Sequence, residues 1–250
     1  MIASTQNLKT EKNTFIQPLA VTRRITSIDL LRGIVMIIMA LDHSRDYFHA
    51  DAFLFDPTDL TKTNEWLFLT RWFTHFCAPV FMFLSGTSAF FVGKRKSKNE
   101  LAKFLLTRGL WLILLEITIV NFGWFFDFSF SNIEFNVIWA LGASMVVLAG
   151  LIYLPFMGII IIGAILIGAH NLLDSVQVPG NTIHAFGWSL LHQTDEFKFF
   201  GRTFFVGYPI LSWVGVMALG YCFGKLYTPS IEAVRRKKIL IILGLSLIHI

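Results

Sequence analysis

The feature that most constrains this chain is a series of long apolar segments, each bounded by charge. The stretch "LRGIVMIIMALDHSRDYFHA" (31–50) shows the pattern, because it is apolar through its middle, carries Arg32 near its start and collects ionisable groups at its end. A helix needs about 20 mostly apolar residues to cross a bilayer. With 55% hydrophobic residues and a mean hydropathy of +0.64, the chain is predicted to be an integral membrane protein.

We predict an all-α fold, a polytopic helical bundle with about seven membrane spans. The predicted spans cover residues 28–48, 66–93, 101–126, 134–154, 156–172, 207–226 and 238–250. The last apolar run reaches the chain end without a polar flank, so we expect residues 25–250 to form a transmembrane domain that is incomplete at its C-terminus. Residues 1–24 are polar and basic and have no cleavage site after an apolar core, which predicts a disordered cytoplasmic tail.

The lysines and arginines between the spans fall on one side of the predicted membrane. They occur in the N-terminal tail, in "KRKSK" (94–98) and in "RRKK" (235–238), whereas the opposite side holds most of the acids. The positive-inside rule then predicts insertion in the cytoplasmic (inner) membrane with a cytoplasmic N-terminus. We expect the basic runs to contact anionic membrane lipid and expect no nucleic-acid partner. The oligomeric state stays open, a homodimer included.

Ionisable side chains recur on one face of the first span. On an ideal helix, a stripe about 60° wide holds Asp29, Arg32, Met36, His43 and Tyr47. Arg32 and His43 are separated by about 16 Å along the axis, one near each end. A charge in hydrocarbon costs at least a few kcal/mol, so this face is predicted to look into the bundle or into a wet cavity.

A second polar set lies in the outer half of the second span. Arg71 and His75 are four residues apart and share a helix face, while Pro79 frees the carbonyl of residue 75 and predicts a kink. The outer half of the bundle is therefore expected to collect Asp42, His43, Asp46, His49, Arg71 and His75. In the third span, Glu116 needs a partner or a proton, and a functional or a structural role stays open. The loop 173–206 adds His184, Trp188 and His192, candidates for substrate contact.

Two sequence stretches carry a family resemblance. "RITSIDLLRGIVMIIMALDHSRDYF" (24–48) and "FCAPVFMFLSG" (76–86) resemble the opening of the heparan-alpha-glucosaminide N-acetyltransferase catalytic domain and its bacterial relatives. The matching positions are Arg24, Ser27, Asp29, Arg32, Gly33, Pro79, Phe81, Phe83 and Gly86. "VIWALGASMVV" (137–147) resembles a later family segment, and Arg32 and His43 also reproduce an Arg-x(10)-His spacing of membrane O-acyltransferases.

The resemblance implies acyl transfer across a membrane. Acetyl-CoA would be the cosubstrate on the cytoplasmic side, and an amine or hydroxyl of a small molecule or glycan would accept the acetyl group on the far side. A far-side histidine is then the expected catalytic group, with His43 ranked before His49. Asp42 or Asp46 would orient the imidazole. Arg71 would stabilise a developing oxyanion, and His75 would lie near these groups. Arg32, Lys103 and Arg108 suit the phosphates of CoA.

Three departures from the family pattern put the acceptor in doubt, and two other functions stay open. The Trp-x-Gly after the loop histidine is absent after His49, His75 replaces an acidic residue, and Trp139-Ala140 replaces Gln-Arg. A proton-coupled transporter would use Asp29, Glu116 and the histidines as a relay. A metal site from His43, Asp46, His49 and His75 has no known ligand spacing, so no metal is expected.

Overall fold

The computed structural model of the chain describes residues 25–50 and 54–246, without the side chains of the last two. The predicted tail 1–24 and the end of the last predicted span lie outside these residues. The described part is mostly helical. Its α-helices are α1 Thr26–Phe48, α2 Glu65–Thr74, α3 Cys77–Gly93, α4 Lys98–Leu115, α5 Asn121–Phe125, α6 Val137–Leu151, α7 Phe156–Gly168, α8 Ile183–Leu191, α9 Ile210–Phe223 and α10 Ala233–Ser246. A π-helical turn, Glu116–Val120, joins α4 to α5, and 3₁₀ turns follow α7 (His170–Leu173) and α9 (Gly224–Tyr227).

A three-stranded sheet corrects the all-α prediction. Its strands are β1 Asn132–Phe135, β2 Asp195–Phe199 and β3 Arg202–Val206, in the order β1-β3-β2. The β2 and β3 strands form an antiparallel hairpin, and β1 pairs in parallel with β3. Alternating residues, phenylalanines among them, bury one face of β2 and β3. Sequence analysis interpreted this segment, within 173–206, as a loop.

The hairpin turns at Phe200 and Gly201, both with positive φ (53° and 72°). A two-residue turn of this kind matches the twist of the flanking strands and needs φ above zero at both positions. Glycine takes that conformation without strain, whereas phenylalanine rarely does. Phe200 is nevertheless fully exposed at the tip.

The predicted kink at Pro79 is a two-residue interruption between α2 and α3. The α2 helix ends at Thr74 and α3 begins at Cys77, with His75 and Phe76 in the break. Proline has no N–H to donate to the carbonyl of His75, so the helical hydrogen bonding is interrupted there. The break holds His75 at the end of α2, where it faces the end of α1.

Among the residues that the structure describes, three helical stretches are long and apolar enough to cross a membrane. They are Glu65–Gly93, Lys98–Phe125 and Ile210–Tyr227, while Val137–Leu151 and Phe156–Gly168 are apolar but shorter. The prediction of about seven spans is therefore not confirmed, although helices occupy the predicted segments. The α1 helix has the length, 23 residues, but its ends carry several ionisable groups.

Glycines let the central helices approach closely. A Cβ on Gly86 of α3 would lie 2.0 Å from the carbonyl oxygen of Met217, and one on Gly220 of α9 would lie 2.1 Å from that of Phe83. Gly109 of α4 and Gly142 of α6 meet in the same way, each 2.6 Å from the other's carbonyl oxygen. Small residues at helix crossings are typical of membrane bundles, because close backbones gain van der Waals contact.

The α1 helix packs on the bundle along a different line from the predicted stripe. Ile28 and Val35 are its buried residues, whereas Met36 is 58% exposed. Its contact with α3 includes the Cys77 thiol, 3.7 Å from the carbonyl oxygen of Val35. The predicted stripe is thus divided: Asp29 and Arg32 line one cavity, His43 lines another, and the exposed Met36 lies between them.

Candidate functional site

An ionic cluster fixes the end of α1 to α2. Asp42 accepts from Arg45 Nη2 at 2.6 Å, from Arg71 Nη1 at 3.1 Å and from the Thr74 hydroxyl at 2.8 Å. Arg45 also contacts Asp46 at 2.9 Å. Two arginines and two carboxylates compensate one another, which allows them to lie partly buried. The predicted role of Asp42 in orienting His43 has no supporting contact, because its carboxylate binds these other groups.

A cavity of about 570 Å³ opens beside this cluster. The sequence-predicted residues Asp42, His43, Arg71 and His75 line it together. Other lining residues come from the chain after α7, from α8 and from the start of α9: His170, Asn171, Asp174, His192, Tyr208 and Trp213. Its volume lies within the range of pockets that hold small molecules.

His43 lies between this cavity and an aromatic wall. Its ring centroid is 5.6 Å from that of Trp124, and Trp124 stacks on Tyr47 at 4.9 Å. The Tyr47 hydroxyl donates to the carbonyl oxygen of Gly123 at 3.1 Å. The Nδ1 atom of His43 is buried and has no hydrogen-bond partner among the described residues. The ring therefore has polar surroundings only on its cavity side.

Two further histidines line the cavity from the opposite wall. His192 caps the end of α8, and its Nε2 lies 3.0 Å from Asp174 Oδ1. His170 lies 6.4 Å from His192 between ring centroids. Sequence reasoning considered His192 as a loop residue but missed His170, Asp174 and Tyr208, because they follow apolar runs with no motif around them. His49 is exposed and is not among the lining residues, and His184 is exposed on α8.

The loop before α2 brings one more carboxylate near the cluster. The backbone N–H and hydroxyl of Thr58 both donate to Asp56 at 2.8 Å. These bonds hold the pKa of Asp56 below its ordinary value, and the charges of Arg71 and His75 act in the same direction. Asp56 is therefore a carboxylate over the physiological pH range.

A larger cavity, about 1500 Å³, lies at the opposite ends of α1 and α3. Four cations line it against the single carboxylate of Asp29: Arg32, Lys94, Arg95 and Arg236. Arg32 donates to the carbonyl oxygen of Leu84 at 3.2 Å and also to the Ser88 hydroxyl. Phe91 and Tyr227 supply aromatic surface.

Two of the predicted CoA-binding residues lie elsewhere. Lys103 and Arg108 are exposed on α4 and do not line this cavity. The Arg108 guanidinium instead lies over the ring of Phe104, 4.6 Å from its centroid. The structure therefore brings Arg32 together with Lys94, Arg95 and Arg236, which the sequence showed only as basic loops.

Glu116 has a structural partner. It is fully buried in the π-helical turn, and its Oε1 accepts from the Asn136 N–H at 3.0 Å, just before α6 begins. Asn121 donates to the carbonyl oxygens of Glu116 and Glu134. Exposed N–H groups at a helix start favour a carboxylate, so Glu116 stabilises the start of α6. The carbonyl of Phe135 beside it accepts from the N–H groups of Gly207 and Tyr208, which fixes the cavity wall.

The alternative of a metal site has no group of ligands to support it. Within residues 25–50 and 54–246, no three histidine, cysteine, aspartate or glutamate side chains come together as an ion would require. Asp46 pairs with Arg45, and His49 is outside the cavity lining.

Fold and site together define a class: a helical membrane protein with a histidine-lined cavity at one end of α1 and α3 and a basic cavity at the other. Comparison with models of known families identifies the family within this class. Residues 24–248 match the family described as heparan-alpha-glucosaminide N-acetyltransferase, catalytic. The chain belongs to this family, as its first two spans indicated, and the family supports an acetyltransferase activity. Comparisons with curated proteins and with solved structures gave no significant match.

Proposed function

We propose that the chain transfers an acetyl group from acetyl-CoA to an amine or hydroxyl acceptor across the membrane, with a sugar as the first acceptor to test. The observation that carries this proposal is the pair of cavities at opposite ends of the same two helices. One is lined by cations and aromatic rings, and the other by histidines and carboxylates. A donor with phosphates and an acceptor that must lose a proton need these two chemistries.

The basic cavity suits the CoA part of the donor. Its volume of about 1500 Å³ can hold a large ligand, and its cations exceed its acids by three. Guanidinium groups bind phosphate oxygens in pairs, and lysine adds a point charge. Arg95 and Arg236 belong to the two basic runs, while Arg32 contacts Leu84 and Ser88 of α3. The contact of Lys103 and Arg108 with CoA stays a prediction from sequence.

The histidine cavity suits the acceptor. When bound, acetyl-CoA supplies an activated thioester, and the protein must hold the acceptor, remove its proton and stabilise negative charge on the carbonyl oxygen. Imidazole can take a proton or carry an acyl group at neutral pH. His43 is our first candidate, followed by His75 and His49. Arg71 uses Nη1 for Asp42, and its remaining N–H groups can stabilise the oxyanion.

The proposed orientation follows the charges at the two ends. The basic cavity lies beside "KRKSK" and "RRKK", so we place it on the cytoplasmic side of the inner membrane. The N-terminus then begins on that side, and the acceptor approaches the histidine cavity from the far side.

The decisive experiment follows labelled acetyl groups. Purified protein in lipid vesicles receives acetyl-CoA carrying a labelled acetyl group, with glucosamine as the test acceptor. We expect labelled product in the presence of protein and a rise in thermal stability with CoA alone. A transporter would move glucosamine or protons across the vesicle membrane, and the glucosamine would not be acetylated. Absence of both a CoA-dependent shift and labelled product would refute the acetyltransferase proposal.

A further inference from the structure

The histidine cavity holds an imidazole–carboxylate pair to which the proposed chemistry gives no role. His192 lines this cavity with a side chain only 6% exposed. Its Nε2 lies 3.0 Å from Asp174 Oδ1, and the Asp174 side chain, which also lines the cavity, is 64% exposed. A carboxylate bonded to one ring nitrogen fixes the orientation of an imidazole, so that the other ring nitrogen can act in proton transfer.

The hydrogen bonds of His192 and His170 determine which nitrogen of each ring is available to a ligand. The Nε2–H of His192 donates to Asp174, which leaves Nδ1 as the acceptor. In neighbouring His170, the Nδ1–H donates to the carbonyl oxygen of Ile167 at 2.7 Å, which leaves Nε2. Both residues therefore keep one basic nitrogen without a protein donor in the described part of the chain.

His43 lacks such support. Its buried Nδ1 has no hydrogen-bond partner among the described residues, and the carboxylate next to it in the sequence, Asp42, is already bound by Arg45, Arg71 and Thr74. Asp42 is therefore not available to orient the His43 ring. His192 differs, because the Asp174 carboxylate lies 3.0 Å from its Nε2.

We infer that His192 is the base that removes the acceptor's proton and that Asp174 is its positioning residue; this assignment rests on the proposed function. The acceptor nitrogen or oxygen bonds to the acetyl carbonyl carbon, the bond from that carbon to the CoA sulfur breaks, and its electron pair leaves on the thiolate. The acceptor proton passes to His192 Nδ1 and then to solvent past Asp174. His43, on the facing wall, contacts the acetyl group.

The test measures how fast the His192→Ala variant transfers the acetyl group from labelled acetyl-CoA to glucosamine. We expect kcat to fall by about 100-fold or more, the usual contribution of a general base, with the KM for acetyl-CoA unchanged. Added imidazole should restore part of the rate, because it can occupy the space left by the side chain and take the proton. Ile183→Ala is the control, since Ile183 is exposed at the start of α8, the helix that His192 caps.

A second variant, Asp174→Asn, keeps the test informative if His192→Ala, a substitution at a buried position, disturbs folding. Asp174 is largely exposed, so this variant should fold, show the same thermal shift with CoA and lose part of kcat. Asp174→Glu should recover some of that loss. Two results would overturn this inference while leaving the proposed function intact. One is a wild-type rate in both Asp174→Asn and His192→Ala. The other is a folded His192→Ala variant whose lost rate imidazole does not restore. A wild-type protein that binds no CoA and transfers no acetyl overturns the proposed function itself.

Discussion

At the scale of single residues, Asp42 is the carboxylate on which the outer end of α1 depends. It accepts from Arg45, Arg71 and Thr74, so three side chains of α1 and α2 meet at one carboxylate. Sequence inspection found Asp42 and Arg71 because charge is rare in apolar segments. It did not single out Arg45 and Thr74 as partners of Asp42, since that choice depends on side-chain directions in space.

Asp42→Asn should destabilise the protein more than Asp46→Asn. Asparagine leaves two partly buried guanidinium groups without their shared anion, and breaking such a pair costs about 3 kcal/mol when the partner charge remains. Asp46 contacts only Arg45, so its loss should cost less. Thermal unfolding in detergent measures both variants. Equal melting temperatures for the two would show that the cluster is not a stabilising centre.

His43→Ala should abolish acetyl transfer and leave folding intact. The imidazole lines the cavity on one side only, and its loss removes little packing beyond the contact with Trp124. His49→Ala should keep wild-type transfer, because His49 is exposed outside the cavity lining. Transfer rates from labelled acetyl-CoA provide the comparison. Full activity of His43→Ala would move the assignment to His75, which lines the same cavity.

At the scale of elements, the substitution of Glu116 separates a structural from a proton-carrying role. Glu116→Gln keeps an oxygen for the Asn136 N–H and should retain both stability and acetyl transfer. Glu116→Leu leaves buried N–H groups without a partner and should lose about 1–3 kcal/mol of stability. Thermal unfolding and transfer assays test this pair. An inactive but stable Glu116→Gln would instead show that acetyl transfer requires the carboxylate itself.

The crossing of α3 and α9 requires the absence of a side chain at two positions. Gly220→Ala would place its Cβ against the backbone of Phe83, which cannot yield, so we expect a loss of about 2–3 kcal/mol. Gly150→Ala is the control, because a Cβ at Gly150 of α6 meets nothing within 4 Å. Unfolding midpoints in detergent should separate the two, and a neutral Gly220→Ala would contradict the packing.

At the scale of the whole molecule, labelling of introduced cysteines tests the proposed orientation. Lys94→Cys should react with an impermeant maleimide from the cytoplasmic side and Phe200→Cys from the opposite side, because both positions are exposed at opposite ends. The native Cys77 and Cys222 are buried, so the unsubstituted chain should remain unlabelled. Labelling of both variants from the same side would contradict the proposal that these two positions lie on opposite sides of the membrane.

The sequence by itself determined the membrane class, the mostly helical structure, a kink at Pro79 and the family, because apolar periodicity, proline and a local motif act over short stretches of chain. Only the tertiary structure decided how distant residues meet. It joined His170, Asp174 and His192 to His43 around one cavity, joined Lys94, Arg95 and Arg236 to Arg32 around the other, and paired β1 with a hairpin far along the chain. These contacts depend on helix packing and strand register, which bring together residues that no local pattern connects.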